Sequence, residues 1–161
     1  RCCTGIDVAS RRINDFLFTG GLDTAKDGSL RTICPHAVIL LQAYLPTFFP
    51  TMKLKTCLID HNTSPVKQDI QSWIDFGVPV IRNYERLLVM CNDGSHRSCT
   101  VAAVIIAASE NRPFTRVVAE LSTYFRSPTQ GAHTWWPYSH WYDNIAKNWG
   151  QLIIPKQEAK P

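Results

Sequence analysis

The 161-residue chain has no C-x-x-C pair and no two histidines at metal-ligand spacing. No structural metal site, redox dithiol or other cofactor is therefore expected. No run of 18 apolar residues is present, so no membrane span is expected. Long basic runs are missing too: Arg11-Arg12 and Lys53-Leu54-Lys55 are short enough to be solvated surface. A net charge of +4 suits an anionic substrate but is too small and dispersed to imply a nucleic-acid partner. Internal repeats, low-complexity segments and signs of a second domain are likewise absent. The first residues, Arg1-Cys2-Cys3-Thr4, carry no signal-peptide apolar core and no initiating Met, which fits a trimmed or processed start.

The composition that is present, 45% apolar and 19% charged, is that of an ordinary globular protein. A single domain over 1–161 is expected, with its core over about 13–150 and a polar, frayed tail over 155–161. The six cysteines (2, 3, 34, 57, 91 and 99) are irregularly spaced, unlike a disulfide framework. Cys34, Cys57 and Cys91 sit in or beside apolar segments, as reduced core thiols do. A reducing compartment, cytoplasm or nucleus, follows. Cys2-Cys3 is open to oxidation or lipidation but reads as a plain exposed pair.

The segment that organises the rest is Leu87-Leu88-Val89-Met90-Cys91-Asn92-Asp93-Gly94-Ser95-His96-Arg97-Ser98. Four apolar residues predict a buried strand, a polar loop follows, and the alanine-rich run from Ser98 to Ala108 predicts a buried helix capped by Ser98 or Thr100. A strand, a loop and a helix N-terminus form an anion site, because unpaired N–H groups and the positive end of the helix dipole converge there. The same field favours the thiolate of a cysteine at the loop's mouth and so raises its nucleophilicity. Arg97 can fold back over the loop and grip two phosphate oxygens with its planar fork. Ser98 brings a hydroxyl close to the sulfur. The spacing C-x5-R is weak by itself in a chain with six cysteines, and a buried structural cysteine beside a solvated arginine is the bland alternative. The strand before, Gly94 within and the helix beyond supply the specificity.

Elsewhere, 13–22 predicts a short strand ended by Gly20-Gly21, and 29–34 a short helix before Pro35. His36 to Gln42 predicts a central strand buried on both faces, and Lys53 to Ile59 a neighbouring strand. Between them, 43–52 reads as a loop with aromatic plugs. Thr63 or Ser64 is expected to cap a helix with Pro65 at its first position, running to Tyr84 with a kink near Pro79. Phe114 to Phe125 is amphipathic, and 126–131 is a loop. Trp135 to Trp149 predicts a final helix interrupted near Pro137, whose Trp141, Ile145 and Trp149 form a core-facing stripe. Strands alternating with helices argue for an α/β fold with a central, mostly parallel sheet of about four to five strands.

Attack of Cys91 on phosphorus needs an acid for the leaving oxygen and later a base for water. Asp60 is the best candidate: it follows a strand, precedes a helix and lies 31 residues before Cys91. A turn carboxylate is its bland alternative. Asp93 lies inside the loop, too close to a bound dianion to be a comfortable acid, and reads as pointing outward. His96 either donates to substrate or lines the mouth, and His61 reads as a turn residue.

The Cys91–Ser98 loop and the placement of Asp60 resemble the cysteine-dependent protein tyrosine phosphatases, specifically the compact dual-specificity branch. The resemblance covers roughly Ile13 to Trp149. It implies a central sheet with helices on both faces and two-step phosphomonoester hydrolysis without metal, on a phosphoprotein substrate. Cys91 would be the nucleophile, Arg97 the phosphate clamp, Asp60 acid then base, and Ser98 a helper of thiol turnover. Backbone N–H groups of Asn92, Asp93, Gly94, Ser95, His96 and Arg97 would bind the phosphoryl oxygens. Two departures stand out: Met90 occupies the place where the family usually has His, and Asp93 adds negative charge. Both weaken support for the thiolate. The chain lacks the Trp-Pro pair of the tyrosine-specific branch. Other readings are a phosphatase of RNA 5′ ends or phosphoinositides, disfavoured by the single basic-type residue His96 between Cys91 and Arg97, and a weakly active or purely phosphoprotein-binding module. A rhodanese-like sulfur carrier fits the Arg97-Ser98 pair less well.

Overall fold

A computed structural model describes residues 10–21, 29–42, 52–91, 96–125 and 137–156. Two aliphatic runs set its centre. Ala37–Leu40 (β3) and Leu87–Met90 (β5) are buried at every position, which requires cover on both faces of the sheet. β5 pairs in parallel with β3 on one side and with Leu17–Gly20 (β2) on the other. Lys53–Thr56 (β4) adds in parallel beside β3, and Ser10–Arg12 (β1) adds antiparallel beside β2. The order is β1-β2-β5-β3-β4, four parallel strands and one antiparallel edge.

Alternation of side chains splits the core by face. Val38, Leu40, Leu88 and Met90 meet Leu30 and Ile33 of the short helix Ser29–Ile33 (α1). Ala37, Ile39, Leu87 and Val89 face the opposite layer. That layer is built from Lys67–Arg82 (α2), Arg97–Glu110 (α3), Phe114–Phe125 (α4) and Ser139–Asn148 (α5), followed by a 3-10 turn at Trp149–Gln151. Ser98 to Ala108 is buried without interruption, so α3 is apolar all round and must lie between the sheet and other helices. Asn111, left-handed at φ 54°, ends it. Trp73 of α2 and Trp141 of α5 stack with ring centroids 5.9 Å apart, both fully buried. The aromatic stripe of the last helix is therefore core at Trp141 and Ile145.

Several expected boundaries shift. β4 stops at Thr56 and is mostly exposed, as an edge strand with two lysines can be. α2 starts at Lys67, not at Pro65, because Asp60 and Thr63 are spent on a turn and the Asp69 carboxylate accepts the Val66 N–H (2.9 Å). It then runs unbroken through Pro79 to Arg82. α3 starts at Arg97 with His96 before it. Ser98 and Thr100 do not cap it: the Thr100 hydroxyl donates to the His96 carbonyl (2.7 Å). The last helix begins at Ser139, after Pro137, and turns 3-10 at Trp149. Cys34 is exposed at φ 48°, not a core thiol. The Cys2-Cys3 pair, the aromatic loop over 43–51, Asn92 to Ser95, the loop from 126, Trp135 and the tail beyond 156 lie outside the described residues.

Gly77 of α2 packs directly against Ile105 of α3. A Cβ there would stand 2.7 Å from Ile105 Cδ1 and 3.2 Å from Leu87 Cδ2. Gly77→Val is expected to lower the unfolding free energy by about 2 kcal/mol through overpacking, read by denaturant titration. Gly77→Ala should cost less, since better helix propensity returns about 1 kcal/mol.

Candidate active site

The parallel register brings four strand ends to one edge. The Leu41 N–H donates to Met90 O (2.9 Å), the Cys91 N–H to Gly20 O (3.1 Å) and the Cys57 N–H to Leu40 O (2.9 Å). Gly20, Leu41, Cys57 and Cys91 therefore line the carboxyl edge of the sheet, where open parallel sheets place their ligand sites. Cys91 leaves β5 at that edge, and α3 returns from it.

Cys91 is 2% exposed and Ser98 is fully buried, so the sulfur meets its surroundings from inside the protein. Cys91 Sγ lies 3.4 Å from Ser98 Oγ. As a thiol it donates to that oxygen, and as a thiolate it accepts from the hydroxyl. Arg97, at the first turn of α3, turns its guanidinium back to the sheet edge. Nη1 donates to the carbonyl of Ile59 (2.8 Å) and, more weakly, to that of Leu41 (3.4 Å). Nε and Nη2 have no partner among the described residues.

The Ile59 carbonyl belongs to the peptide that leads into Asp60, so one hydrogen bond joins the Arg97 segment to the Asp60 turn. The Asp60 carboxylate is 63% exposed, accepts the Asn62 N–H (2.8 Å) and lies 3.3 Å from His61 Nδ1. Its main-chain carbonyl accepts the Thr63 N–H (3.0 Å). Asp60 thus builds a turn and also faces solvent beside the Arg97 anchor. His61 is likewise a turn residue, but its carbonyl accepts from His140 Nε2 (2.7 Å). His96 packs against Tyr138 with centroids 4.8 Å apart. Asn92, Asp93, Gly94 and Ser95 fall outside the described residues.

Three residues escaped the sequence reading. Tyr138 and His140 stand beside the Asp60 turn and His96. Gln42, one residue past Leu41, is 4% exposed, and neither its Oε1 nor its Nε2 meets a partner among the described residues. A buried run ending in glutamine was the available signal for the last. No local pattern marks the first two. Among the described residues no group of three or more His, Cys, Asp or Glu is arranged to hold a metal ion, and no helix is long and apolar enough to cross a membrane.

No protein-family model matches the chain, and neither does any curated protein. Solved structures do match in fold. A human tyrosine phosphatase-like serine/threonine/tyrosine-interacting protein superposes with a TM-score of 0.72 at 16% identity, over 88% of this chain and 96% of that one. DUSP15 gives 0.68 at 15% identity, over 86% of each chain. PTPMT1 in complex with PI(5)P gives 0.67 at 11% identity, over 89% and 96%. The chain has the protein tyrosine phosphatase-like α/β fold, of the kind found in dual-specificity phosphatases.

Cys57 lies near the same edge, but its chemistry differs from that of a nucleophile. Burial pushes its thiol up from the ordinary value, and the Asp69 carboxylate, 3.9 Å away, pushes the same way. Iodoacetamide alkylation of Cys57 should therefore reach its half-maximal rate at higher pH in the folded protein than in the urea-unfolded chain. The linked stability is complete below the unfolded thiol's value and is lost as pH rises through the folded one.

Proposed function

We propose that the chain is a cysteine-dependent phosphomonoester hydrolase acting on phosphotyrosine in phosphoproteins, with phosphoserine and phosphothreonine as further substrates. The observation that carries this reading is the Arg97 Nη1 bond to the Ile59 carbonyl. It fixes a guanidinium at the sheet edge that Cys91 leaves, and ties it to the peptide preceding Asp60. A phosphate would accept from Nε and Nη2, the side of the fork that the backbone anchor does not use.

In this mechanism the Cys91 thiolate attacks phosphorus, an S–P bond forms and the ester P–O bond breaks. The departing oxygen takes a proton from Asp60. Asp60, now a carboxylate, accepts a proton from water as that water attacks the phosphocysteine. The S–P bond then breaks, inorganic phosphate leaves and the thiolate returns, with the Ser98 hydroxyl donating to the released sulfur. N–H groups of the loop from Asn92 to Arg97 stabilise the charge that builds on the phosphoryl oxygens. Asp60 must be protonated for the first step, and its exposure gives it ready exchange with solvent.

Phosphoinositide or RNA 5′-end hydrolysis and simple phosphoprotein binding remain the rivals, and substitutions separate them. Cys91→Ser is expected to abolish turnover of an aryl phosphate, with no burst. Survival of activity would refute the mechanism. Asp60→Asn keeps an oxygen to accept the Asn62 N–H, so the melting temperature should hold while kcat falls about 10²-fold or more for substrates with basic leaving groups. Equal loss with every leaving group would return Asp60 to a purely structural role. A strong preference for polyanionic lipid or RNA phosphates over phosphotyrosine peptides would replace the substrate class.

A further inference from the structure

The turn from Asp60 to Thr63 has little of its own to hold it in place. Its residues are exposed, and among the described residues its internal contacts are the two hydrogen bonds that converge on Asp60 and the 3.3 Å approach of His61 Nδ1 to the Asp60 carboxylate. Such a segment opens at low cost unless rigid neighbours fix it. Its long-range ties come from two directions. One is the Arg97 bond to the Ile59 carbonyl just before it. The other is the start of α5, where His140 Nε2 donates to the His61 carbonyl (2.7 Å) and the Tyr138 ring stands 6.0 Å from the His61 ring.

Tyr138 does not serve that turn alone. The same ring lies 4.8 Å from the imidazole of His96, the residue before Arg97, and stacks on His140 at 5.7 Å with planes 19° apart. One half-buried aromatic ring is thus shared by segments around 61, 96 and 140. The ring is mounted on a fixed support. Pro137 is buried just before it, and Trp141 and Ile145 drive α5 into the core, where Trp141 stacks on Trp73. A side chain carried by so rigid an element can set the spacing between two loops.

We propose that Tyr138 and His140 are positioning residues that bracket the Asp60 turn against the segment leading into Arg97. Tyr138 spans the gap with its ring, and His140 locks the turn's backbone. Neither touches the reacting phosphate; both act through Asp60. The consequence for proton transfer rests on the phosphatase reading given above, whereas the bracket itself does not.

The test uses the full chain with Tyr138→Ala, His140→Ala and Tyr138→Phe. Amide–water exchange by NMR is the activity-independent readout. Tyr138→Ala and His140→Ala should speed exchange at Asn62 and Thr63 by about fivefold or more while leaving core amides such as Val104 unchanged. Tyr138→Phe, which keeps the ring, should match the parent. Unchanged exchange at Asn62 and Thr63 overturns the bracket, as does uniform acceleration across the chain. Kinetics supply the second readout. With the parent active, Tyr138→Ala should cost about tenfold in kcat on phenyl phosphate and at most about twofold on 4-nitrophenyl phosphate, whose leaving group needs little protonation. Equal losses on both overturn the positioning role. A parent with no activity, or one unaffected by Cys91→Ser, refutes the phosphatase reading, and the exchange data still decide the bracket.

Discussion

The hydrogen bonds from one Arg97 nitrogen to the carbonyls of Leu41 and Ile59 are the constraint on which the site depends. Both carbonyls lie past the ends of strands, where the ladder no longer supplies N–H partners, so a donor from elsewhere satisfies them. A charged donor makes such a bond worth about 1.5–3 kcal/mol. The arrangement works only because α3 starts directly beneath the sheet edge. That start is dictated in turn by the all-round apolar surface of the helix, which must be sandwiched between β-strands and α2. Chemistry at the edge is thus a consequence of burial in the middle.

The two faces of the sheet play unequal parts. On the α1 face, Leu30 and Ile33 close over Val38, Leu40, Leu88 and Met90. The other face carries four helices, and their first turns and the turns before them supply Ser98, Arg97 and His96 and, at α5, Tyr138 and His140. α2 and α5 meet through the stacked Trp73 and Trp141 rings, so the Asp60 turn before α2 and the Tyr138 turn before α5 are held by helices that share one core contact. Helix packing thereby fixes the relation between loops that are far apart in sequence.

Most of this architecture was legible in the sequence. β3 and β5 read as continuous apolar runs, α4 showed a clean helical period, and the strand and helix on either side of the Cys91 loop stand where they were expected. The segments that did not read correctly share a cause. Pro65 looked like a helix start, but Asp69 offered its carboxylate to the Val66 N–H, so a side chain one turn further on chose the boundary. Thr100 looked like a cap, but its hydroxyl found the His96 carbonyl first. Tyr138 and His140 carry no periodic signal at all, since their partners at 61 and 96 are set by the docking of α5. Local pattern specifies elements; contacts between elements decide which polar groups become a site.

Met90 sharpens that point. Methionine offers only a thioether there, a weak acceptor. Met90 is fully buried among apolar neighbours, so the strand behind Cys91 is supported by packing rather than by hydrogen bonds on that side. On the α3 side, Ser98 Oγ lies 3.4 Å from the sulfur. Gln42 completes the contrast. At the same edge, immediately after the residue whose carbonyl receives Arg97, its buried amide meets no partner among the described residues. Behind Cys91 the described support is apolar packing, and next to Leu41 it is a buried amide. At this edge of the sheet the described polar side chains Ser98 and Arg97 come from α3, whereas the α1 side meets the strand of Cys91 with apolar packing.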